Sequence, residues 1–182
     1  MYMGSKEKAA EIRKDLKAIM GVNSREVSVK STLNSISIHI KNLNIDIKKV
    51  ETIANQYEDI SRCEASGEIL QGGNTFVFVE FDHDAVRQGG EAMAEVAESW
   101  YLEARNGEYY GIEMAENDDY SVTYWPDNEA FPIVRVSAKN GDYSKSGKYA
   151  AHNLPHLAQA MAVIAGQYGI QFEKQEPVMM TN

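Results

Sequence analysis

The segment Ser35-Ile-Ser-Ile-His-Ile40 alternates polar and apolar residues at every position, so that its three isoleucines share one side. This period of two predicts a β-strand with one buried face. Val27 and Val29 alternate with polar neighbours in the same way, and the residues between the two segments, 31–34, supply a turn. The sequence therefore predicts a β-hairpin over residues 27–40.

Helices are predicted on both sides of this hairpin. Between residues 6 and 20, apolar residues recur every three or four positions, and Gly21 follows as a C-terminal cap. After the hairpin, residues 47–57 show the same spacing, with Asn44 or Asp46 as the N-cap. Both segments are expected to pack an apolar face on the sheet.

A second pair of strands is predicted to close the first half of the chain. Residues 74–81 are mostly β-branched or aromatic, which favours a strand, and residues 60–63 are its expected partner. The intervening residues 64–73 have the composition of a turn. Residues 5–82 are therefore expected to form one small domain, in the order helix, hairpin, helix, hairpin.

The second half predicts another small domain, residues 83–176, made of a helix, a three-strand meander and a helix. Residues 82–90, with two consecutive glycines, look like a connection between the halves. The predicted elements are a helix ending near Asn106, strands at 109–114, 120–125 and 131–136, a polar loop at 139–147, a helix from Asn153 to Gly169, and a short edge strand at 170–172. The fold class is therefore α+β, with two small sub-domains that each pack helices on an antiparallel sheet.

Composition and charge exclude several classes of protein. The chain has 182 residues, 43% of them hydrophobic and 25% charged, as in an ordinary globular protein. No apolar run approaches the roughly 18 residues that a membrane-spanning helix needs, and the single cysteine, Cys63, cannot form an internal disulfide. A soluble, cytoplasmic protein with no membrane partner is expected.

The net charge of −9 lies almost entirely in the second half of the chain. Residues 1–82 contain 11 Lys and Arg against 12 Asp and Glu, whereas residues 83–182 contain 7 against 15. Because nucleic-acid affinity depends on cations that displace counterions, this balance disfavours direct nucleic-acid binding and favours a basic protein partner. Aromatic residues occur among the acidic ones, and rings are common anchors of protein interfaces. The candidate partner-binding residues are Glu91, Glu95, Glu98, Asp118, Asp119, Tyr109 and Tyr120.

No motif predicts a catalytic residue, a metal ligand or a cofactor. His152 and His156 are four residues apart, but no glutamate follows His152 as an HExxH zinc motif requires. The segment from Gly141 to Lys148 has five residues between its glycines and a tyrosine after its last lysine, so it departs from the phosphate-binding Walker A pattern. The prediction is a non-catalytic protein.

Three segments of the first half carry a resemblance to a known family. They are residues 10–17 (Ala-Glu-Ile-Arg-Lys-Asp-Leu-Lys), the hairpin at 28–40, and residues 66–77 (Ser-Gly-Glu-Ile-Leu-Gln-Gly-Gly-Asn-Thr-Phe-Val). Over residues 5–82 the chain resembles one of the large polyvalent protein-associated domains of phages and conjugative elements. The resemblance implies a context, namely proteins that mobile elements bring into a host, some of which are thought to oppose host defences.

Charge and resemblance together lead to one main hypothesis and two alternatives. The main hypothesis is an accessory protein of a phage or mobile element, such as an anti-restriction or anti-CRISPR inhibitor, whose acidic half engages a basic, nucleic-acid-handling host protein. The first alternative is a nucleic-acid-binding module that uses Arg13, Lys14, Lys17, Lys48 and Lys49 on one face. The second is a small enzyme built from residues such as His83, Asp84, Tyr143 and His152. Whether the chain forms a homodimer is left open.

Overall fold

The computed structural model describes residues 3–64, 66–69, 74–106, 111–126 and 132–175. Within these ranges the chain forms two compact units, Met1–Ala85 and Val86–Asn182. Each unit packs two helices on one β-sheet, and each has its own apolar core. The predicted α+β class is confirmed.

The first unit begins with helix α1, Ser5–Met20, followed by strands β1, Val27–Ser31, and β2, Ser35–Ile40. The helix ends as predicted, with Gly21 in the left-handed conformation at φ 70°. Strands β1 and β2 pair antiparallel, with Val29 opposite Ile38, so the predicted hairpin is confirmed. The isoleucines of β2 are fully buried because the two-residue alternation turns them all towards the helices.

Helix α2, Ile47–Ala54, connects β2 to strand β3, Phe76–Phe81. Asp46 caps the helix by accepting hydrogen bonds from the backbone N–H groups of Lys48 and Lys49. Strand β3 pairs in parallel with β2, so the sheet order is β1-β2-β3. The predicted hairpin of residues 60–63 with residues 74–81 is wrong, because β3 pairs with β2 and not with residues 60–63. The connection from β2 to β3 contains a helix, as parallel neighbours require. Among the described residues of that region, antiparallel pairing consists of two isolated bridges, Asp59 with Thr75 and Arg62 with Ile69.

Helix α3 runs without interruption over His83–Asn106. The connection at residues 82–90 is therefore helical and not a loop, and the division between the two units, after Ala85, falls within those residues. Asp82 begins the helix instead, because its Oδ1 accepts hydrogen bonds from the backbone N–H groups of Asp84 and Ala85. Gly90 is buried within the helix.

The second unit contains a four-stranded antiparallel sheet in the order β4-β5-β6-β7. Its strands are β4 (Ile112–Glu116), β5 (Tyr120–Trp125), β6 (Ile133–Ala138) and β7 (Gly147–Ala150). The meander thus has one strand more than predicted, because β7 pairs with β6 at the end of the region expected to be a polar loop. That region also contains a one-turn 3₁₀ helix, Tyr143–Lys145.

Helix α4, Leu154–Tyr168, completes the second unit. Asn153 caps it, Pro155 lies in its first turn and Gly169 ends it at φ 65°, all as the sequence predicts. Helices α3 and α4 supply Trp100, Leu157 and Met161 to a core shared with the inner face of the sheet. Residues 170–172 form no strand, which corrects the predicted edge strand, although Ile170 is buried in the core.

Candidate binding surfaces

The predicted acidic residues of α3 lie on one exposed side of that helix. Glu91, Glu95 and Glu98 are spaced four and three residues apart, which keeps them on the same face. Two of them have cationic partners, since Arg87 Nη1 is 2.6 Å from Glu91 Oε1 and Lys174 Nζ binds Glu95. The hydrogen bond from Lys174, and then its charge, lower the pKa of Glu95. Glu98 forms no ion pair with a described residue.

Asp118 and Asp119 lie in the turn between β4 and β5, and both are exposed. Asn117 holds this turn, because its Oδ1 accepts hydrogen bonds from the N–H groups of Asp119 and Tyr120. Neither aspartate forms an ion pair with a residue in the described ranges. A hollow of about 160 Å³ beside them is also lined by Lys139 and Lys145, whose own carboxylate partners are Glu116 and Asp142.

The two predicted aromatic contact residues have different outcomes. Tyr109 lies outside the described residues. Tyr120 is half-buried, and its ring meets that of Tyr168 edge to face at a centroid distance of 5.0 Å. Tyr149 extends this cluster by donating a hydrogen bond to the Tyr168 hydroxyl at 3.2 Å, and burial raises the pKa of Tyr149. Much of the Tyr120 ring is therefore committed to internal packing.

Cations of the first unit line a groove of about 470 Å³ between α1 and β1. Arg13, Lys17 and Lys41 line it, and none of its described lining residues is a carboxylate. Arg13 Nη2 also donates a hydrogen bond to the carbonyl oxygen of Val29 at 2.5 Å. This groove was not predicted in full, because Lys41 follows a strand and the sequence pattern gave no reason to place it beside α1.

The remaining cations proposed for nucleic-acid binding have different surroundings. Lys14 pairs with Glu11 at 3.2 Å, and Lys49 lies 3.9 Å from Asp46. Lys48 lies in the first turn of α2, beside the side chain of Asp46 that caps the helix. Arg13 and Lys17 are thus the members of the predicted set that line the basic groove together.

Two cations of the second unit were not singled out from the sequence. The register of β6 and β7 places Arg135 directly opposite Lys148, and both side chains are exposed. They line a groove of about 580 Å³. The alternation of β6 could have placed Arg135 on the outer face, but its relationship to Lys148 depends on β7, which the sequence did not predict.

The histidines and the cysteine do not form a metal centre in the described part of the chain. The rings of His152 and His156 are exposed and lie 5.6 Å apart, and no group of three or more His, Cys, Asp or Glu residues there is arranged to hold an ion. Cys63 is half-buried. His83 and Asp84 belong to the first unit, whereas Tyr143 and His152 belong to the second.

Comparisons with other proteins do not assign the chain to a class. No family model, curated protein or solved structure matches it. Among the described helices, none has both the length and the hydropathy to cross a membrane.

Proposed function

We propose that the protein is a non-catalytic binding protein whose second unit engages a basic partner protein. The observation that carries this proposal is the presence of exposed carboxylates without ion-pair partners in the described structure, among them Glu98, Asp118 and Asp119. They belong to the half of the chain that holds 15 acidic and 7 basic residues. Such carboxylates attract a basic surface over several ångströms and speed its association.

The context of this proposal comes from the sequence resemblance of residues 5–82. An accessory protein of a phage or conjugative element that inhibits a nucleic-acid-handling host protein needs a surface that competes with phosphate. Exposed carboxylates on a folded scaffold provide the same sign of charge. The specific role we propose is therefore counter-defence by electrostatic capture of a host protein.

A pull-down from host lysate tests the proposal, with nuclease treatment and with washes at low and high salt. The test variant is Glu98→Gln, Asp118→Asn and Asp119→Asn combined. The control variant changes three first-unit carboxylates, Glu51, Glu64 and Glu68, to glutamine, so that the change in net charge is equal. A nuclease-resistant partner that is lost with the test variant and retained with the control supports the proposal. Equal loss with both variants would show a general effect of charge and contradict it.

A second candidate function is the binding of an anionic partner, including nucleic acid, by the basic groove of the first unit. This function is favoured because the described lining of the groove contains Arg13, Lys17 and Lys41 but no carboxylate residue. Its test is fluorescence anisotropy with labelled single-stranded and duplex DNA over a range of salt concentrations. Binding that weakens with salt and is lost in the Lys17→Gln, Lys41→Gln variant would support it. Binding that is equal in the Lys14→Gln variant and in that double variant would contradict it.

A further inference from the structure

Arg135 and Lys148 form an unusual pair, because two like charges lie directly opposite each other on adjacent antiparallel strands. Val134 and Val136 on either side of Arg135 are fully buried, so the arginine points away from the core. Cross-strand neighbours on one face are close enough to interact, and like charges in these positions destabilise a sheet. An acidic residue at either position would have removed this repulsion.

The other cations of the second unit with described side chains all have acidic partners. The ion pairs are Arg87 with Glu91, Lys139 with Glu116, Lys145 with Asp142, and Lys174 with Glu95. Arg135 and Lys148 have no carboxylate within ion-pair distance among the residues the structure describes. Among the cations of the second unit whose side chains are described, the two without an acidic partner are therefore neighbours.

The surroundings of the pair form a groove suited to a small anion. The groove, of about 580 Å³, is also lined by Ser137, Ser146 and Tyr143. This volume lies within the range of roughly 300–1,000 Å³ found for small-molecule sites. Ser146 Oγ accepts a hydrogen bond from the backbone N–H of Ala138 at 3.3 Å, which leaves its hydroxyl proton free to donate to an anion.

Two aromatic residues, Trp125 and Tyr143, lie beside the cationic pair and have different roles in the groove. The Arg135 guanidinium lies over the Trp125 ring, 5.8 Å from its centroid, an arrangement that orients the guanidinium and leaves its N–H groups free to donate. Tyr143 begins the 3₁₀ helix that Asp142 caps, and the residue is 90% exposed. A ring on the border of a cationic groove can stack on a planar heterocycle.

We propose that this groove binds a nucleoside monophosphate, with the phosphate at Arg135 and Lys148 and the base on Tyr143. Arginine and lysine beside serine hydroxyls are suited to phosphate oxygens. A long polyanion fits less well, since residues 83–182 carry eight more acidic than basic residues and would repel its flanking phosphates. The proposal is independent of the acidic surface and of the basic groove of the first unit.

Isothermal titration of the full chain with adenosine monophosphate tests the site, with adenosine, inorganic phosphate and a short single-stranded oligonucleotide as competing probes. We expect saturable binding of adenosine monophosphate, weaker binding of phosphate and no measurable binding of adenosine. Lys148→Gln should weaken the affinity for adenosine monophosphate roughly tenfold or more, since it removes a charge-assisted hydrogen bond. Tyr143→Ala should reduce that affinity to the level of phosphate.

Lys148→Glu separates a binding defect from a folding defect. A glutamate opposite Arg135 replaces repulsion with attraction, so this variant should unfold at or above the temperature of the unmodified protein and still lose nucleotide binding. Lys139→Gln, which removes a cation already paired with Glu116, is the control and should bind normally. The proposal is overturned if adenosine monophosphate does not bind, if it binds equally to the Lys148→Glu variant, if adenosine binds as tightly, or if the oligonucleotide outcompetes it.

Discussion

Gly90 of α3 lies directly against Gln159 of α4, so that a Cβ atom at position 90 would be 2.7 Å from Gln159 Cγ. The same atom would be 3.2 Å from the backbone nitrogen of Gln159 and 3.3 Å from its Cα. A side chain at position 90 therefore cannot be accommodated by a rotation of Gln159 alone. The close approach of the two helices requires glycine at this position.

Gly90→Ala is expected to lower the free energy of unfolding by about 1–3 kcal/mol, because the added methyl group separates α3 from α4. In an exposed helix the same change would stabilise the protein by about 1 kcal/mol. The sign of the change in the free energy of unfolding therefore distinguishes an effect of packing from an effect of helix propensity. Denaturant titration measures the effect. Adding Gln159→Ala removes the Cγ contact and should restore part of the loss. A more stable Gly90→Ala single variant would contradict this account of the packing.

The position of Gly90 inside α3 shows which parts of this fold a sequence pattern can predict. Alternation and helical spacing identified α1, the β1-β2 hairpin, α2 and α4, because each buries one face in a regular pattern. Two consecutive glycines are typical of a loop, but here one of them is required by a contact with a residue 69 positions later. Such contacts leave no periodic signal in the local sequence.

The choice of strand partners was predicted less well than the strands themselves. Strand β3 was recognised from its composition, but its parallel pairing with β2 depends on where α2 crosses. Strand β7 has four residues, two of them half-buried, and gives too short an alternation to be seen. As a consequence, the juxtaposition of Arg135 and Lys148 could not be predicted, whereas the exposure of the acidic residues could.

The hydrogen bond from the Tyr57 hydroxyl to Asp15 Oδ2, at 2.5 Å, makes the stability of the protein vary with pH in the alkaline range. This bond, with burial and the negative charge of Asp15, raises the pKa of Tyr57 to about 12 from its ordinary value of 10.0. A raised pKa in the folded state contributes stability that is fully present below pH 10 and is lost as the pH rises towards 12. Tyr57→Phe should cost about 1 kcal/mol at pH 7.

Denaturant titrations at pH 7 and at several values between 10 and 12 measure this dependence. The difference between the unmodified protein and Tyr57→Phe should shrink across that interval. Tyr143→Phe is the matched control, because Tyr143 is exposed and forms no hydrogen bond with a described residue through its hydroxyl. A difference that stays constant up to pH 12 would exclude Tyr57 ionisation as the cause.

Lys8 of α1 is buried, and its Nζ lies 3.2 Å from Thr75 Oγ1 and 3.3 Å from Asp59 Oδ2. Thr75 is also buried, whereas half of the Asp59 side chain is exposed. Thr75→Val should therefore cost about 1–3 kcal/mol, because a buried donor loses an acceptor that water cannot replace. Asp59→Asn should cost about 0–1 kcal/mol, as is usual for partly exposed ion pairs. Thermal unfolding compares the two variants, and the reverse order of stability would refute the argument.

The ion pairs of α3 lead to two opposite predictions about partner capture, one for removing the paired carboxylates and one for removing their cations. Glu91 and Glu95 are already paired with Arg87 and Lys174, so they attract a basic partner less than unpaired carboxylates do. Replacing both glutamates with glutamine should reduce retention of a captured partner less than the Glu98, Asp118 and Asp119 variant does.

Replacing Arg87 and Lys174 with glutamine frees both carboxylates and should increase retention at low salt. Because exposed charges are screened, this gain should disappear as salt rises towards about 1 M. Retention measured over a salt series for the three variants checks the order, and a decrease in the Arg87, Lys174 variant would mean that the cations themselves contact the partner.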